Sequence, residues 1–394
     1  MTDEIIFFSL EDWDDIWRRN QFLCAGLVKR NPGLRILFVA PARDFSNALR
    51  TGNWSALSSP ARRAIDAEGR IVCMRPWKFL PNTLTSGRLF NEASMLRQVR
   101  TEARRMRFRQ PLLWINAHQA GHAASKLSNR GVVYDVTDDW TTLRQTPRMS
   151  ELTRLQDRDL CLNADTVIVC SERLHQMKAP FAKRLHLIPN GVDAVHYDRV
   201  RDQSRSLPEE TRAWKKPVLG YTGSIHADRI DMDLIKALGR RLPHATIALI
   251  GPIMLSRAEQ QQLEKIPNIR LTGPRSYEAL PDYMRMFDVC MTPHLVTPFT
   301  ESLNPIKLWD YLAVGKPIIS TPVAGFRDYP EFVRLETDAD GFARALGQAL
   351  AESPELPERR RAEARRHSWD ARLDAVEALI DADILSAVRP VAHV

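Results

Sequence analysis

Apolar residues in this chain gather in short, nearly unbroken runs, and stretches with helical spacing lie between them. In the first half, runs at 4–8, 34–39, 70–74, 111–115, 132–136 and 166–170 predict strands. Helical spacing at 15–30, 87–109 and 150–162 predicts the intervening helices. Runs that are apolar at nearly every position belong to strands covered on both faces. Their alternation with helices predicts a parallel sheet. Residues 201–216 are charged and aperiodic, and we expect the linker there. The pattern then restarts, with strands expected at 216–221, 245–250, 269–271, 289–292 and 317–321. Helices are expected at 233–241, 256–265, 277–286 and 306–314, and two more at 338–352 and 369–387 close the chain. The fold class is α/β, two doubly wound parallel sheets. Ligands of such sheets bind beyond the carboxyl ends of the strands, so residues just past strand ends are the first candidates for chemistry.

At 394 residues the chain exceeds one ordinary domain, and 44% hydrophobic content suffices for two substantial cores. That composition excludes a disordered or fibrous protein. No apolar run approaches the ~18 residues that cross a bilayer. The N-terminus starts acidic and turns strand-like, unlike a secretory signal. Five scattered cysteines without a Cys-x-x-Cys pair point to buried free thiols. These features together predict a soluble cytosolic protein. The net charge of +8 changes the picture, because much of it lies in arginines between 97 and 109. On the helix expected at 87–109, Leu89, Ala93, Leu96, Val99, Ala103 and Met106 share one face. Arg97, Arg100, Arg104 and Arg107 line another. That row is either a solvated face or a contact with an anionic membrane, at roughly 1 kcal/mol per charge. Nucleic acid is not expected, since no recognition module accompanies the charge.

The densest chemistry lies at 301–321, ESLNPIKLWDYLAVGKPIIST. A helix N-terminus carries unpaired N–H groups and partial positive charge, which suits a phosphate. Lys307 adds a full charge in the first turn. Asp310, one turn on, can accept two hydroxyls, as a ribose offers. This stretch resembles the donor-nucleotide site of GT-B glycosyltransferases, above all glycosyltransferase family 4 (group 1) and its bacterial polysaccharide relatives. Their common form is an acid followed by Pro-x-Lys-x-x-Glu-Tyr-Leu-Ala-x-Gly-Lys-Pro. Pro305, Lys307, Tyr311, Leu312, Ala313, Gly315, Lys316 and Pro317 match, and Asp310 replaces the glutamate.

The resemblance implies two Rossmann-like domains facing across a cleft. Residues 1–205 would form the acceptor side and 206–370 the nucleotide-sugar donor domain. The segment 371–394, just after His367-Ser368-Trp369-Asp370, would cross back onto the first domain. It further implies a retaining transferase that moves a sugar from a nucleoside diphosphate sugar to a glycan or lipid-linked acceptor. Such an enzyme would serve bacterial surface polysaccharide synthesis on the inner face of the membrane, with no cofactor or metal. A nucleotide-sugar 2-epimerase or hydrolase, and a non-catalytic nucleotide-binding scaffold, share the architecture.

Gly223 and Ser224 follow the first strand of the second half, in Gly220-Tyr221-Thr222-Gly223-Ser224, and Arg229 lies just beyond. Glycines there either make a tight turn or let backbone approach a phosphate closely. By the resemblance Arg229 serves the diphosphate, and Lys307 shares the charge because no lysine follows Arg229 at the family's spacing. Gly-Pro pairs at 251–252 and 273–274 cap two more strands. In relatives such loops border the base, which makes the backbone of Arg275 and the ring of Tyr277 base contacts. The family's acid pair is shifted here. Either Glu301 faces the sugar and steadies an oxocarbenium-like centre, or Ser302 and Asn304 replace it with neutral hydrogen bonds.

In the first half, His118 follows the strand at 111–115 and His122 competes with it; the resemblance implies a histidine contact near the reacting carbon. Tyr134-Asp135-Val136-Thr137-Asp138-Asp139 resembles a Tyr-Asp-x-x-Asp-Asp stretch of bacterial polysaccharide enzymes. Asp138 and Asp139 orient the acceptor hydroxyl or take its proton, bind a metal, or merely cap the next segment. Trp13, Trp17 and Arg18 fall in a loop that relatives use on the acceptor side. The two indoles either stack on a sugar ring or anchor the helix in the core.

Overall fold

The computed structural model describes residues 2–54, 57–142 and 146–386. They form two compact units, one from residues up to Pro189 together with those from Leu373 onward, the other Asn190–Arg372. In the first unit eight strands form one sheet. Their spatial order is Leu185–Leu187, Thr166–Val169, Gly131–Val136, Leu112–Ile115, Glu4–Phe8, Arg35–Val39, Ile71–Met74 and Arg62–Ala64. All neighbours run parallel except the last pair. The strands Ile71–Met74, Leu112–Ile115, Gly131–Val136 and Thr166–Val169 are buried at every position, as their unbroken apolar runs require.

The second unit holds a six-stranded parallel sheet in the order Ile269–Gly273, Thr246–Ile250, Val218–Thr222, Val289–Thr292, Ile318–Ser320 and Val333–Leu335. Numbered along the chain this is 3-2-1-4-5-6, the Rossmann order. Helix Met232–Arg241 packs Leu234, Ile235 and Leu238 on one side of the sheet, joined there by Phe342, Ala345 and Leu346 of helix Ala339–Leu350.

Several expected boundaries shift, each for a local reason. The first helix spans Arg19–Arg30 rather than 15–30, because Arg18 takes the cap and Gln21 reaches back to its N–H. The arginine-rich helix runs Thr85–Arg105 and stops short of 109. Arg107 there has φ +58°, so it leaves the row that Arg97, Arg100 and Arg104 continue. Leu89, expected on the core face, is 51% exposed. The stretch 201–216 is not a free linker: Arg205 pairs with Asp282 at 2.7 Å and Thr211 is buried within the second unit. The last helix begins at Trp369 and continues past Leu379 as a π-turn to Leu385, and expected residue 387 lies outside the described residues. Within the first unit its side chains Asp374 and Glu377 pair with Arg30, and Asp383 meets His186 at 2.7 Å.

Candidate functional site

In the six-stranded sheet the first and fourth strands along the chain, Val218–Thr222 and Val289–Thr292, lie side by side. Connections from such a pair run away in opposite directions, which opens a crevice beyond their carboxyl ends. Three glycines make its floor. Gly223, Gly251 and Gly273 follow or end adjacent strands with φ of +138°, +145° and +74°. Gly223 N–H donates to Ile250 O at 2.8 Å, and Gly251 N–H to Gly273 O at 3.0 Å. A Cβ on Gly251 would lie 2.2 Å from the Gly223 carbonyl oxygen. Backbone therefore meets backbone here, where only glycine fits.

Lys307, in the first turn of helix Ile306–Val314, hangs over this floor. Its Nζ would stand 3.0 Å from a Cβ on Gly223, and it lies 5.1 Å from the centre of the Tyr221 ring. Burial, then the nearby Arg229, pushes the Lys307 ammonium down to about 8. Arg229 lies 4.9 Å over the Phe299 ring. Two like charges held together in a half-buried pocket repel, and an anion between them relieves that cost. His294 completes the group. Its imidazole is 4% exposed, and burial, aided by Lys307 and Arg229, holds it neutral. Tyr221 donates its hydroxyl proton to Ser224 O at 3.2 Å, so His294 Nε2–H, 3.3 Å away, donates to the phenol oxygen.

One turn along the same helix, Asp310 accepts a hydrogen bond from the Tyr197 hydroxyl. Burial raises its carboxyl to about 7, opposed by the Tyr197 bond and Lys307. Near neutrality it both donates and accepts, which suits a diol. A raised folded-state value means the folded protein holds this proton between pH 3.8 and about 7 while the unfolded chain releases it. Stability from this group thus falls as pH rises across that window. Asp310→Asn removes the half-buried charge and keeps an oxygen for Tyr197. We expect it to stabilise the protein at pH 8 by on the order of 1–2 kcal/mol, with the gain fading toward pH 4. Melting curves at pH 4, 6 and 8 check this, and a gain independent of pH contradicts it.

Other expected donor residues are engaged elsewhere within the second unit. Arg275 Nε donates to the Tyr283 hydroxyl at 2.6 Å, and its terminal nitrogen pairs with Glu210 at 2.8 Å. The Tyr277 ring is buried and stacks on His196 at 3.8 Å, so it cannot lie on a base in this arrangement. Ser302 is fully buried and its hydroxyl donates to Phe299 O at 2.7 Å. Asn304 ties down Asn190 through two hydrogen bonds, 2.9 and 2.6 Å. Glu301 is held two-pronged by Arg327.

In the first unit, His118 opens a 3₁₀ turn just past the strand Leu112–Ile115, which adjoins Glu4–Phe8 where the strand order reverses. It is 4% exposed, and burial lowers its imidazole to about 4, against the pull of Asp157. It is therefore a neutral hydrogen-bonding group near pH 7. His122 Nδ1–H donates to Gln119 O at 3.0 Å. Asp135 proves to be a brace: fully buried, it accepts from Arg19 at 3.1 Å and from the Trp114 indole at 3.2 Å. Asp139, 2% exposed, accepts from both the N–H and the hydroxyl of Thr141, as a cap does. Asp138 stays half-buried, with the Thr137 hydroxyl at 3.1 Å. Trp13 is core, edge-on to Phe38 at 5.0 Å, whereas Trp17 is half-buried against Phe22. Arg18 is held by Asp14 at 2.9 Å. Among the described residues no group of three His, Cys, Asp or Glu is placed to hold a metal.

The geometry thus gathers Gly223, Ser224, Arg229, Lys307 and Asp310 into one place. It adds Tyr221, His294 and Tyr197, which sequence reasoning passed over. His294 carried the same signal as His118, a histidine just beyond a strand end.

The chain is similar to known proteins in sequence and in fold. Residues 216–352 match the family model for glycosyl transferases group 1. TuaH of Bacillus subtilis, named as a teichuronic acid biosynthesis glycosyltransferase, is 26% identical over 260 residues, 61% of this chain. The match spans 64% of that relative's length. Among solved structures, sucrose-phosphate synthase from Thermosynechococcus elongatus superposes with a TM-score of 0.72 at 17% identity, covering 96% of this chain and 98% of the other. HepE from Anabaena, solved with UDP and glucose, gives 0.68 at 16% identity, covering 97% and 100%. These likenesses establish the GT-B fold.

Proposed function

We propose that this chain, a GT-B protein whose residues 216–352 form a group 1 glycosyltransferase domain, moves a sugar from a nucleoside diphosphate sugar to a hydroxyl of a glycan or lipid-linked acceptor. The observation that carries the reading is the Lys307 ammonium over Gly223, beside Arg229, at a helix N-terminus and a strand-order switch. As the bond from the sugar carbon to the diphosphate breaks, negative charge gathers on the leaving oxygens. Lys307, Arg229 and the helix end then stabilise that charge more than they stabilise the ground state. Asp310 holds the ribose diol, and the main chain at Arg275 borders the base.

Glu301, oriented by the two-pronged pairing with Arg327, offers its remaining lone pairs to the sugar. His118 contributes a neutral hydrogen bond near the reacting carbon, and Asp138, with Asp139 behind it, steers the acceptor. Trp17 and Arg18 carry the acceptor side, braced by Trp13. Retention of configuration follows from the family resemblance, and no cofactor or metal takes part. The likeness to TuaH supports a surface-polysaccharide acceptor, and the HepE complex makes UDP the first base to try. No helix among the described residues is long and apolar enough to cross a membrane. We place the enzyme in the cytoplasm, resting on the anionic inner membrane face through Arg97, Arg100 and Arg104.

Thermal melts with UDP, GDP and ADP, each with magnesium and with EDTA, test the donor site. At tenfold its Kd a binder adds about 1.4 kcal/mol. We expect one diphosphate to stabilise equally in both conditions, and indifference to all three overturns the reading. Consumption of the matching sugar nucleotide without acceptor would favour an epimerase or hydrolase.

A further inference from the structure

Fourteen large apolar side chains are exposed among the described residues, and eight fall between 45 and 90. They stand on three pieces of chain that are bonded together. The two-residue strands Arg43–Asp44 and Trp77–Lys78 pair in parallel, so Phe45 and Phe79 leave that ladder side by side. Phe45 meets Trp54 edge-on at 5.9 Å, and Leu49 on the short helix Phe45–Thr51 is 65% exposed. Asn91, buried on the long helix Thr85–Arg105, makes three hydrogen bonds of 2.7–3.2 Å to the main chain of Phe79 and Leu80. Gln98 holds Trp77 likewise. The start of that helix adds Leu84, Leu89 and Phe90, each more than half exposed. Exposed apolar groups clustered this way mark an interaction surface.

Charge adjoins the patch. Residues 77–109 contain eight Lys and Arg against two Glu, so +6 of the chain's +8 lies there. Both acids are already paired, Glu92 with Arg88 and Glu102 with Arg62 and Arg105. Arg97, Arg100 and Arg104 are exposed on the same helix, reaching about 20 Å beyond Phe90 at 1.5 Å per residue. A second copy of this chain is a poor occupant, because a two-fold contact sets the patch, and its charge, against itself.

We infer that this end of the first unit inserts into an anionic bilayer surface, with Phe79, Leu84 and Phe90 entering the acyl boundary and the arginines lying on lipid phosphates. This deepens the proposed function by setting the enzyme where a lipid-linked acceptor lies, and rests on that reading only for the acceptor. Unlike adhesion by arginines alone, insertion leaves a component that salt does not screen.

The test uses the full chain in flotation with vesicles of phosphatidylcholine, alone or with phosphatidylglycerol, at low salt and near 1 M salt. The wild type should float with the anionic vesicles and keep part of its binding at high salt. Leu84→Ser/Phe90→Ser should lose that salt-resistant part, about tenfold or more overall. Arg97→Glu/Arg100→Glu should lose low-salt binding, at least about fivefold per charge. No wild-type flotation at low salt, or unchanged flotation of the serine variant, overturns the inference. So does a wild-type dimer that the serine variant dissolves. All these residues are exposed, so melting and the response to UDP should persist in both variants. In the wild type, absent flotation with an intact UDP response counts against the membrane surface alone, and the reverse against the donor site alone.

Discussion

Lys307→Met should lower kcat/KM for the sugar nucleotide by about 10²–10³-fold, the usual cost of removing one preorganised group from developing negative charge. Methionine keeps the length of the side chain and suits a half-buried helix position, so the fold should survive. In fact the variant should melt no lower than the parent, because the repulsion between Lys307 and Arg229 disappears with the charge. The wild type should also lose donor affinity as pH rises past about 8, where Lys307 releases its proton, and the variant should lack that limb. Isothermal titration with the diphosphate from pH 6 to 9 gives both results. An unchanged Kd in the variant would remove Lys307 from the phosphate site.

Arg19→Met should cost about 3–5 kcal/mol, because it strands the Asp135 carboxylate in a fully buried position. For a unit of this size that is a fall in Tm of roughly 10 °C. Arg19 also donates to Ile188 O at 3.0 Å, so its loss loosens the end of the first unit's chain before Pro189. Arg19→Met/Asp135→Asn should recover a good part of the loss, since no buried charge is left and the asparagine can still accept from Trp114. Equal melting of the single and double variants would show that the ion pair is not the cause. Neither change should alter the pH profile of donor binding.

The contrast between these two positions explains what the sequence could disclose. Core strands were legible because burial on both faces demands unbroken apolar runs, as in 4–8 and 289–292, which the structure reproduces. The helix Ile306–Val314 was legible for its apolar face and its Gly315 cap, in the left-handed conformation at φ +78°. Strands of two residues, such as Ile225–His226, offer no period to detect. Helix Leu356–Arg366 was missed because it is mostly charged. It is held instead by Arg360, fully buried and two-pronged on Glu352.

The site was legible where a motif fixes charge at a helix start, as with Lys307 and Asp310. It was not legible where roles depend on partners far along the chain. Asp135, Asp138 and Asp139 look alike in sequence, yet one braces Arg19, one stays half-buried and one caps a turn. Tyr277 reads as a base contact until His196 takes its face. Such assignments are made by tertiary contacts, which local composition does not encode.

The joined glycine floor under Lys307 also limits how this protein can change. A side chain introduced at 251 collides with the Gly223 main chain, and one at 223 is strained by its φ of +138° and presses on Lys307, before either can discriminate between donors. Natural drift or a laboratory library aimed at a new sugar nucleotide will find few tolerated variants in those loops. The adaptable positions are instead on the surrounding loop starts, where a sugar-facing side chain such as Glu301 can be exchanged without moving backbone. Diversification should therefore show as a constant base with a variable rim, and a deep mutational scan of the second unit would map that border residue by residue.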